Sequence, residues 1–360
     1  MTAHWALRKA LGPVLLLVAG WVVLDNSDPK TVSILIVALY YAAAATSFNF
    51  LLGQLGVFSL CQNLFMAVGG FTAVYLFNNH GVSPWLALPL AIAISGCLAL
   101  PIALATVRAG AGPILAALIT LIIAQAAVPV IISQGWLGGA SGMYEKAGSG
   151  NDWGALQFVE PASFGKLLLV VNIILIAFMM WWSASRFGYY ARATKDAPEA
   201  SEAVGIPTAS LRVWIFVIAA MMATPVGLLY AQYNLLATAD LYLGTTPLFQ
   251  VVIVALVGGA AASWGPIAGG LVIAYLSQFA GQLGGSRPGV TPLAFAVAFF
   301  LLAVLMPRGL SGTWAQLRDW WTRGRSAAAA PGSPAEPAGR ADENVTREIA
   351  VEGARHGSGR

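Results

Sequence analysis

The chain has 360 residues, of which 58% are hydrophobic and only 9% are charged, and its formal net charge is +4. Soluble domains average about a quarter charged residues, so this chain has too few charges to cover a surface exposed to water. The composition therefore excludes an ordinary soluble globular protein and favours one whose solvent is mostly lipid. The small positive balance does not indicate nucleic-acid binding.

Apolar segments recur along the chain at the length that a bilayer crossing needs, which is about 20 residues. They predict an all-α polytopic membrane protein with about ten transmembrane helices. The predicted spans are 11–24, 31–52, 61–78, 84–106, 113–133, 166–184, 211–235, 242–258, 266–283 and 290–306. The first is short, but no small-residue cleavage site follows it, so we expect an uncleaved span rather than a signal peptide.

Two apolar segments, Asn49 to Ala73 and Ala255 to Ala274, are interrupted by glycines. Helix breaks at membrane depth are tolerated only where protein or a water-filled cavity satisfies the backbone, and paired breaks indicate a transport pathway. The alternative is close helix packing with hydrogen bonds between helices. The candidate pore-lining residues are Asn49, Gly53, Gln54, Gly56, Gln62, Asn63, Gly258 and Gly259.

Basic residues are unevenly divided between the two sides that these spans define. With a cytoplasmic N-terminus, 15 of the 19 Lys and Arg residues fall inside and 4 fall outside. Because Lys and Arg concentrate in cytoplasmic loops, we expect both termini to be cytoplasmic. The Gly- and Ser-rich segment 134–165 is then the longest outer loop, and 185–210 is an inner loop.

The inner loop carries five charges between Arg192 and Pro207, in a chain that is otherwise poor in charge. Pro198 suits the first position of a helix, where no N–H is needed. Glu199 and Glu202 would fall in the first turn, where the positive end of the helix dipole stabilises acidic side chains. The sequence therefore predicts a short amphipathic helix here.

Gly205 is expected to end that helix, and Ala200 and Ala203 leave it with a low surface that suits docking into a groove on another protein. A solvated connector is the alternative. The tail after residue 312 is rich in Ala, Pro and Gly and has mixed charge, so it cannot bury enough apolar surface to fold alone. We therefore divide the chain into a transmembrane domain, 1–312, and a mostly disordered cytoplasmic tail, 313–360.

Several of these stretches resemble one family of transport proteins. Glu199, Ala200 and Gly205 are similar to the EAA…G coupling loop of ATP-binding-cassette importer permeases, with Ser201 where that pattern has a second Ala. Segment 186–231 resembles the corresponding region of branched-chain amino-acid permeases of the LivM type. The Gly-rich segments 49–73 and 251–270 and the ending 306–312 also agree, so the resemblance covers most of residues 35–312.

The resemblance implies a permease subunit that is not itself an enzyme, binds no cofactor or metal, and sits in a bacterial inner membrane. Its partners would be a related permease, two cytoplasmic ATPase subunits that hydrolyse ATP, an extracytoplasmic solute-binding protein and membrane lipid. The solute would be a branched-chain amino acid or a related small molecule such as urea, an amide or an aromatic acid. The coupling residues would be Arg192, Glu199, Ala200, Glu202, Ala203 and Gly205.

Two other functions stay open at this point. An ion-gradient-driven carrier is the main alternative, although the spans hold few ionisable residues from which to build a proton or sodium relay. A membrane enzyme or scaffold is the other, and the sequence offers little catalytic patterning for it.

Overall fold

A computed structural model describes residues 18–110, 112–146, 152–259 and 264–284, together with residue 297; the side chains of 280–284 are not included. These residues belong to the first of two compact units, Met1–Thr313. The predicted tail and most of the predicted span 290–306 lie outside the described residues. So does most of the predicted first span, of which residues 18–24 are described and continue as helix to residue 26.

The first half of the described chain consists of long helices. They are α1 (Pro29–Leu55), α2 (Gln62–His80), α3 (Pro84–Arg108) and α4 (Pro113–Ser133). Three of the four begin with proline, whose fixed φ suits the first helical position. Two 3-10 turns, Gly135–Leu137 and Gly139–Ser141, follow α4.

The second half combines long spans with short helices. Its elements are β1 (Met143–Tyr144), α5 (Pro161–Ala184), α6 (Arg186–Asp196), α7 (Pro198–Ala203), α8 (Thr208–Asn234), β2 (Leu236–Ala237), α9 (Ala239–Leu243), α10 (Thr245–Gly258) and α11 (Gly265–Gly284). Helix α5 begins five residues before the predicted span, because Pro161 starts it within the predicted outer loop.

Six segments of the described chain are long and apolar enough to cross a membrane: α1, α3, α4, α5, α8 and the combined segment Ala239–Gly258. Helices α2 and α11 coincide with two further predicted spans, but α2 is less apolar and the apolar part of α11, Gly265–Phe279, is shorter. The chain is thus an all-α, multi-pass membrane protein, and the count of ten spans is not confirmed.

The predicted span 242–258 is not a single continuous helix, because its first two residues belong to α9 and the rest follow after Gly244. Thr238 caps α9 by accepting a hydrogen bond from the Leu241 N–H at 3.1 Å. Gly244 then separates α9 from α10, and it packs so closely on the Asp240 carbonyl that a side chain would overlap that oxygen. The backbone of Gly244 leaves the helical conformation, with ψ 151°, so α9 ends there and α10 starts at the next residue.

Helices α1 and α8 form the buried centre of the described region. In their most apolar stretches 78% and 72% of residues are buried, against 17% in α4. Helix α2 crosses α8 at two glycines: Gly69 faces the Thr224 carbonyl and Gly227 faces the Met66 carbonyl, with no room for a Cβ atom. Small residues let membrane helices approach in this way.

The predicted outer loop ties several helix ends together. Strand β1 pairs antiparallel with β2, directly after α8. The Asn78 amide at the end of α2 donates to the Tyr144 carbonyl at 2.8 Å, and the Trp85 indole in α3 donates to the Trp153 carbonyl at 2.8 Å. The ends of α2 and α8 and the start of α3 thus lie on one side, as alternating spans require.

Candidate functional site

The first predicted helix break is present between α1 and α2. Helix α1 ends at Leu55, and Gly56 follows with φ +67°, a left-handed conformation that favours glycine. The Gly56 N–H closes the end by donating to the Leu52 carbonyl at 2.9 Å. Residues 56–61 are not α-helical, and α2 starts at Gln62.

The second predicted break is also present, between α10 and α11. Helix α10 ends at Gly258, and Gly259 follows with φ +100°. Gly258 and Gly265 lie so close that a Cβ atom on either would overlap the backbone of the other. The glycines therefore allow the start of α11 to lie directly against the end of α10.

The two breaks meet in the folded chain. The side-chain amide of Asn49, in the last third of α1, donates to the Gly259 carbonyl at 3.3 Å, and Asn49 is fully buried. That carbonyl belongs to the backbone freed by the second break. A side chain from the first interrupted segment therefore donates a hydrogen bond to a backbone carbonyl of the second.

The remaining predicted pore residues also make contacts between helices. Gln54 Nε2 donates to Ser183 Oγ at 2.9 Å, and Asn63 Nδ2 donates to the Tyr242 carbonyl at 2.8 Å. Gln62 differs: it is 1% exposed, and its side-chain amide has no hydrogen-bond partner among the described residues.

A cavity of about 390 Å³ lies apart from these residues, between α2, α3 and α4. Val68, Phe71, Tyr75 and Ile94 are among the residues that line it, and its lining includes no residue predicted to line a pore. Thr72, Tyr75 and Trp136 are the lining residues that carry a polar group, and the other side chains of the lining are apolar. The sequence did not indicate this cavity, because its lining comes from three helices and the 3-10 turn Gly135–Leu137.

The inner loop is mostly helical, and the predicted short helix is α7. The Gly205 N–H donates to the Glu202 carbonyl at 2.9 Å, and the Ile206 N–H donates to the Ser201 carbonyl at 3.0 Å. This pair of bonds, with Gly205 at φ +86°, is the Schellman ending of a helix. Gly205 therefore ends α7, as the sequence predicts.

Helix α7 turns one residue inward and leaves the rest exposed. Ser201 is 4% exposed, and its hydroxyl donates to the Ala197 carbonyl at 2.9 Å. The substitution of Ser for the second Ala of the coupling pattern therefore falls on the inward side. The exposed residues of the segment are Glu199, Ala200, Glu202, Ala203, Val204 and Gly205.

One expectation for the loop was wrong: Glu202 is not in the first turn of α7, where Glu199 is the only acidic residue. The helix has six residues, so Glu202 lies near its end and accepts a hydrogen bond from Thr208 Oγ1 at the start of α8. An acidic group there is stabilised by the positive end of the α8 dipole.

Arg192, the predicted flanking residue, stacks on Tyr189 and donates to the Ser183 carbonyl at 3.0 Å.

Sequence reasoning missed two residues that connect these parts. Lys195, a basic residue of the inner loop, donates to the Gly53 carbonyl at 3.2 Å. Tyr242 is fully buried, and its hydroxyl donates to the Gly227 carbonyl at 2.8 Å. A basic residue in the last turn of α6 was visible in the sequence, but its distant partner was not.

A buried carboxyl joins the predicted outer loop to α8. Glu145 is 6% exposed and accepts hydrogen bonds from Gln157 Nε2 at 2.9 Å and Gln232 Nε2 at 2.6 Å. Burial raises the pKa of the Glu145 carboxyl to about 7, although both amide hydrogen bonds act in the opposite direction. Its charge is therefore sensitive to pH near neutrality.

Comparison with known proteins places this arrangement in a family. A family model described as "Branched-chain amino acid transport system / permease component" matches residues 30–306, which is more than half of the chain. The matched region contains both helix breaks and the inner segment α6–α7. No curated protein and no solved structure gives a significant match. The chain therefore belongs to the family of permease components of branched-chain amino acid transport systems.

Proposed function

We propose that this permease component is a LivM-type half of the translocation pore of an ATP-binding-cassette importer. The observation that carries the proposal is the uncovered surface of α7. Val204 at its end is 77% exposed, beside the exposed small residues Ala200 and Ala203. A short helix with a low, partly apolar surface suits a groove on a partner subunit.

The attachment of α7 supports a role in transmitting movement. Its end is held to α8 through Glu202 and Thr208, and its start follows α6 after the single residue Ala197. In the proposed mechanism, closure of two ATP-hydrolysing subunits displaces α7. The spans attached to it then tilt, and the pore opens alternately to each side.

The remaining subunits complete the proposed pathway. A related permease supplies the other half of the pore, and an extracytoplasmic binding protein delivers the solute. ATP is bound and hydrolysed by the ATPase subunits, and this chain catalyses no reaction. The proposed location is a bacterial inner membrane, and the distribution of Lys and Arg supports an orientation with both termini in the cytoplasm.

The proposed solute is a branched-chain amino acid or a related small molecule such as urea, an amide or an aromatic acid. The family description supports the first of these. The apolar cavity beside Phe71 and Tyr75 is a surface that an aliphatic or aromatic side chain would favour. Thermal-shift screening of the binding protein against these solutes would identify the one that is delivered.

Transport by the reconstituted complex tests the proposal. The chain, its sister permease and the ATPase subunits are placed in proteoliposomes with the binding protein outside and ATP within. We expect uptake that requires ATP and persists when ionophores remove the ion gradients. Uptake that survives without ATP but stops when the gradients collapse would identify a gradient-driven carrier instead.

Val204→Asp tests the docking surface directly. A carboxylate buried in an apolar groove without a partner is costly, so we expect the variant to retain much less ATPase subunit during co-purification. Val159→Asp is the matched control, because Val159 is 78% exposed in the predicted outer loop. Equal retention of the ATPase by Val204→Asp and wild type would contradict the docking assignment.

A further inference from the structure

We propose that Lys195 transmits the movement of α7 to the first helix break, by holding the C-terminal end of α1. The inference rests on the proposed function, since it needs an energy-supplying partner at α7. It assigns to Lys195 a positioning role: the residue acts through α1 and touches neither solute nor ATP.

The contact between Lys195 and α1 has a polar and an apolar part. The Lys195 ammonium donates to the Gly53 carbonyl at 3.2 Å. The aliphatic part of its side chain crosses Gly56, where an added Cβ atom would lie 3.3 Å from Lys195 Cε. The last four carbonyls of a helix lack intrahelical donors and form the negative end of its dipole, so an ammonium group is favourable there.

Lys195 is close to α7 along the chain. It lies in the last turn of α6, three positions before Pro198, the first residue of α7. A second connection passes through α5: Arg192, one turn before Lys195 in α6, donates to the Ser183 carbonyl, and Gln54 of α1 donates to the Ser183 hydroxyl at 2.9 Å. Movement of α7 therefore reaches α1 through two neighbouring contacts, of which Lys195 makes the direct one.

The end of α1 leads onward to the second break. Asn49 lies one helical turn before Gly53 and donates to the Gly259 carbonyl at the end of α10. A displacement of the last turn of α1 would therefore act on both interrupted segments. Because a chain of contacts does not by itself demonstrate energetic coupling, the test measures the coupling itself.

The experiment compares Lys195→Met with Lys195→Arg in the reconstituted complex. Methionine keeps most of the aliphatic stem but removes the charge and the donors, whereas arginine retains both. The measured quantity is solute taken up per ATP hydrolysed, at equal amounts of assembled complex. We expect Lys195→Met to lower this ratio about two- to fivefold, the effect of an exposed charge at a helix terminus, and Lys195→Arg to stay close to wild type.

Arg186→Met is the matched control, because it removes a positive charge from the same helix. Arg186 is exposed and makes no side-chain hydrogen bond or ion pair with the described residues. We expect its coupling ratio to equal that of wild type. If Lys195→Met reduces assembly, Lys195→Gln replaces it in the comparison.

The outcomes separate this inference from the proposed function. The role of Lys195 would be overturned by a wild-type ratio in Lys195→Met, by the same loss in Arg186→Met, or by no recovery in Lys195→Arg. In each case, ATP-driven uptake by the wild-type complex would still support the importer. Absence of ATP-driven uptake in the wild-type complex would overturn both. A purely structural role would lower the amount of assembled complex without changing the ratio.

Discussion

Gly205 holds the turn between α7 and α8 in a left-handed conformation, with φ +86°. The space beside it is open, because a Cβ atom would meet no other atom within 4 Å. A substitution would therefore strain the backbone rather than clash with a neighbour. Asparagine tolerates this conformation better than other residues with side chains.

We expect Gly205→Leu to lower the uptake obtained per ATP hydrolysed by about tenfold, because left-handed strain of 1–2 kcal/mol would shift the end of α7. Gly205→Asn is the matched control and should retain most of the coupling. The measurement is the coupling ratio of the reconstituted complex. A wild-type ratio in Gly205→Leu would show that the coupling assignment is wrong.

Most of the polar residues predicted to line a pore form hydrogen bonds between helices. Asn49, Gln54 and Asn63 each donate to a group on another helix. A buried amide is costly unless it is hydrogen-bonded, so these contacts stabilise the packing of the breaks. Gln62 is the exception: it is buried and its side-chain amide has no hydrogen-bond partner among the described residues, so its place in a pore stays a prediction.

At the scale of elements, the crossing of α2 and α8 depends on glycine at the contact. Gly227 presses on the Met66 carbonyl and Gly69 on the Thr224 carbonyl, so neither backbone can move aside without displacing its own helix. This close approach lets α2 pack against the buried centre, although α2 carries amide side chains at both of its ends.

Gly227→Ala is expected to destabilise the protein by about 1–3 kcal/mol, because the added methyl group overfills a packed backbone contact. Thermal unfolding of the purified protein in detergent measures the effect. Gly96→Ala is the control: a Cβ atom there would lie 3.4 Å from the flexible end of Met221. Equal unfolding temperatures for the two variants would contradict the tight crossing.

At the scale of the whole molecule, Glu145 links the predicted outer loop to the end of α8. Its carboxyl has a pKa of about 7 in the folded protein and an ordinary value of 4.5 when unfolded. Between these values the folded state holds a proton that the unfolded state lacks. The stabilisation is complete below pH 4.5 and is lost as the pH rises through about 7.

Glu145→Gln should remove this part of the pH dependence. Between about pH 5.5 and pH 8 the wild type should lose roughly 1–2 kcal/mol more stability than the variant, after allowance for partial solvation. Unfolding temperatures at the two pH values measure the difference. Glu160→Gln, which removes an exposed carboxyl from the same loop, is the control. Identical pH profiles for Glu145→Gln and wild type would contradict the assignment.

The sequence by itself determined the membrane class, both helix breaks, the short helix that Gly205 ends, and the family. These properties follow from local chemistry: apolar length sets a span, glycine permits a break, and proline and glycine begin and end a helix. Residues within a few positions of each other are enough to specify them.

Only the tertiary structure decided which of these local features meet. Lys195 and Gly53 are 142 positions apart, and Asn49 and Gly259 are 210 apart, so no periodicity relates them. The same holds for the apolar cavity shared by three helices and for Glu145, whose burial raises its pKa. The break at Gly244 went unrecognised because the extended backbone of that residue, rather than a change in hydropathy, ends α9. Contacts between distant segments depend on packing of the whole chain, which local patterns do not encode.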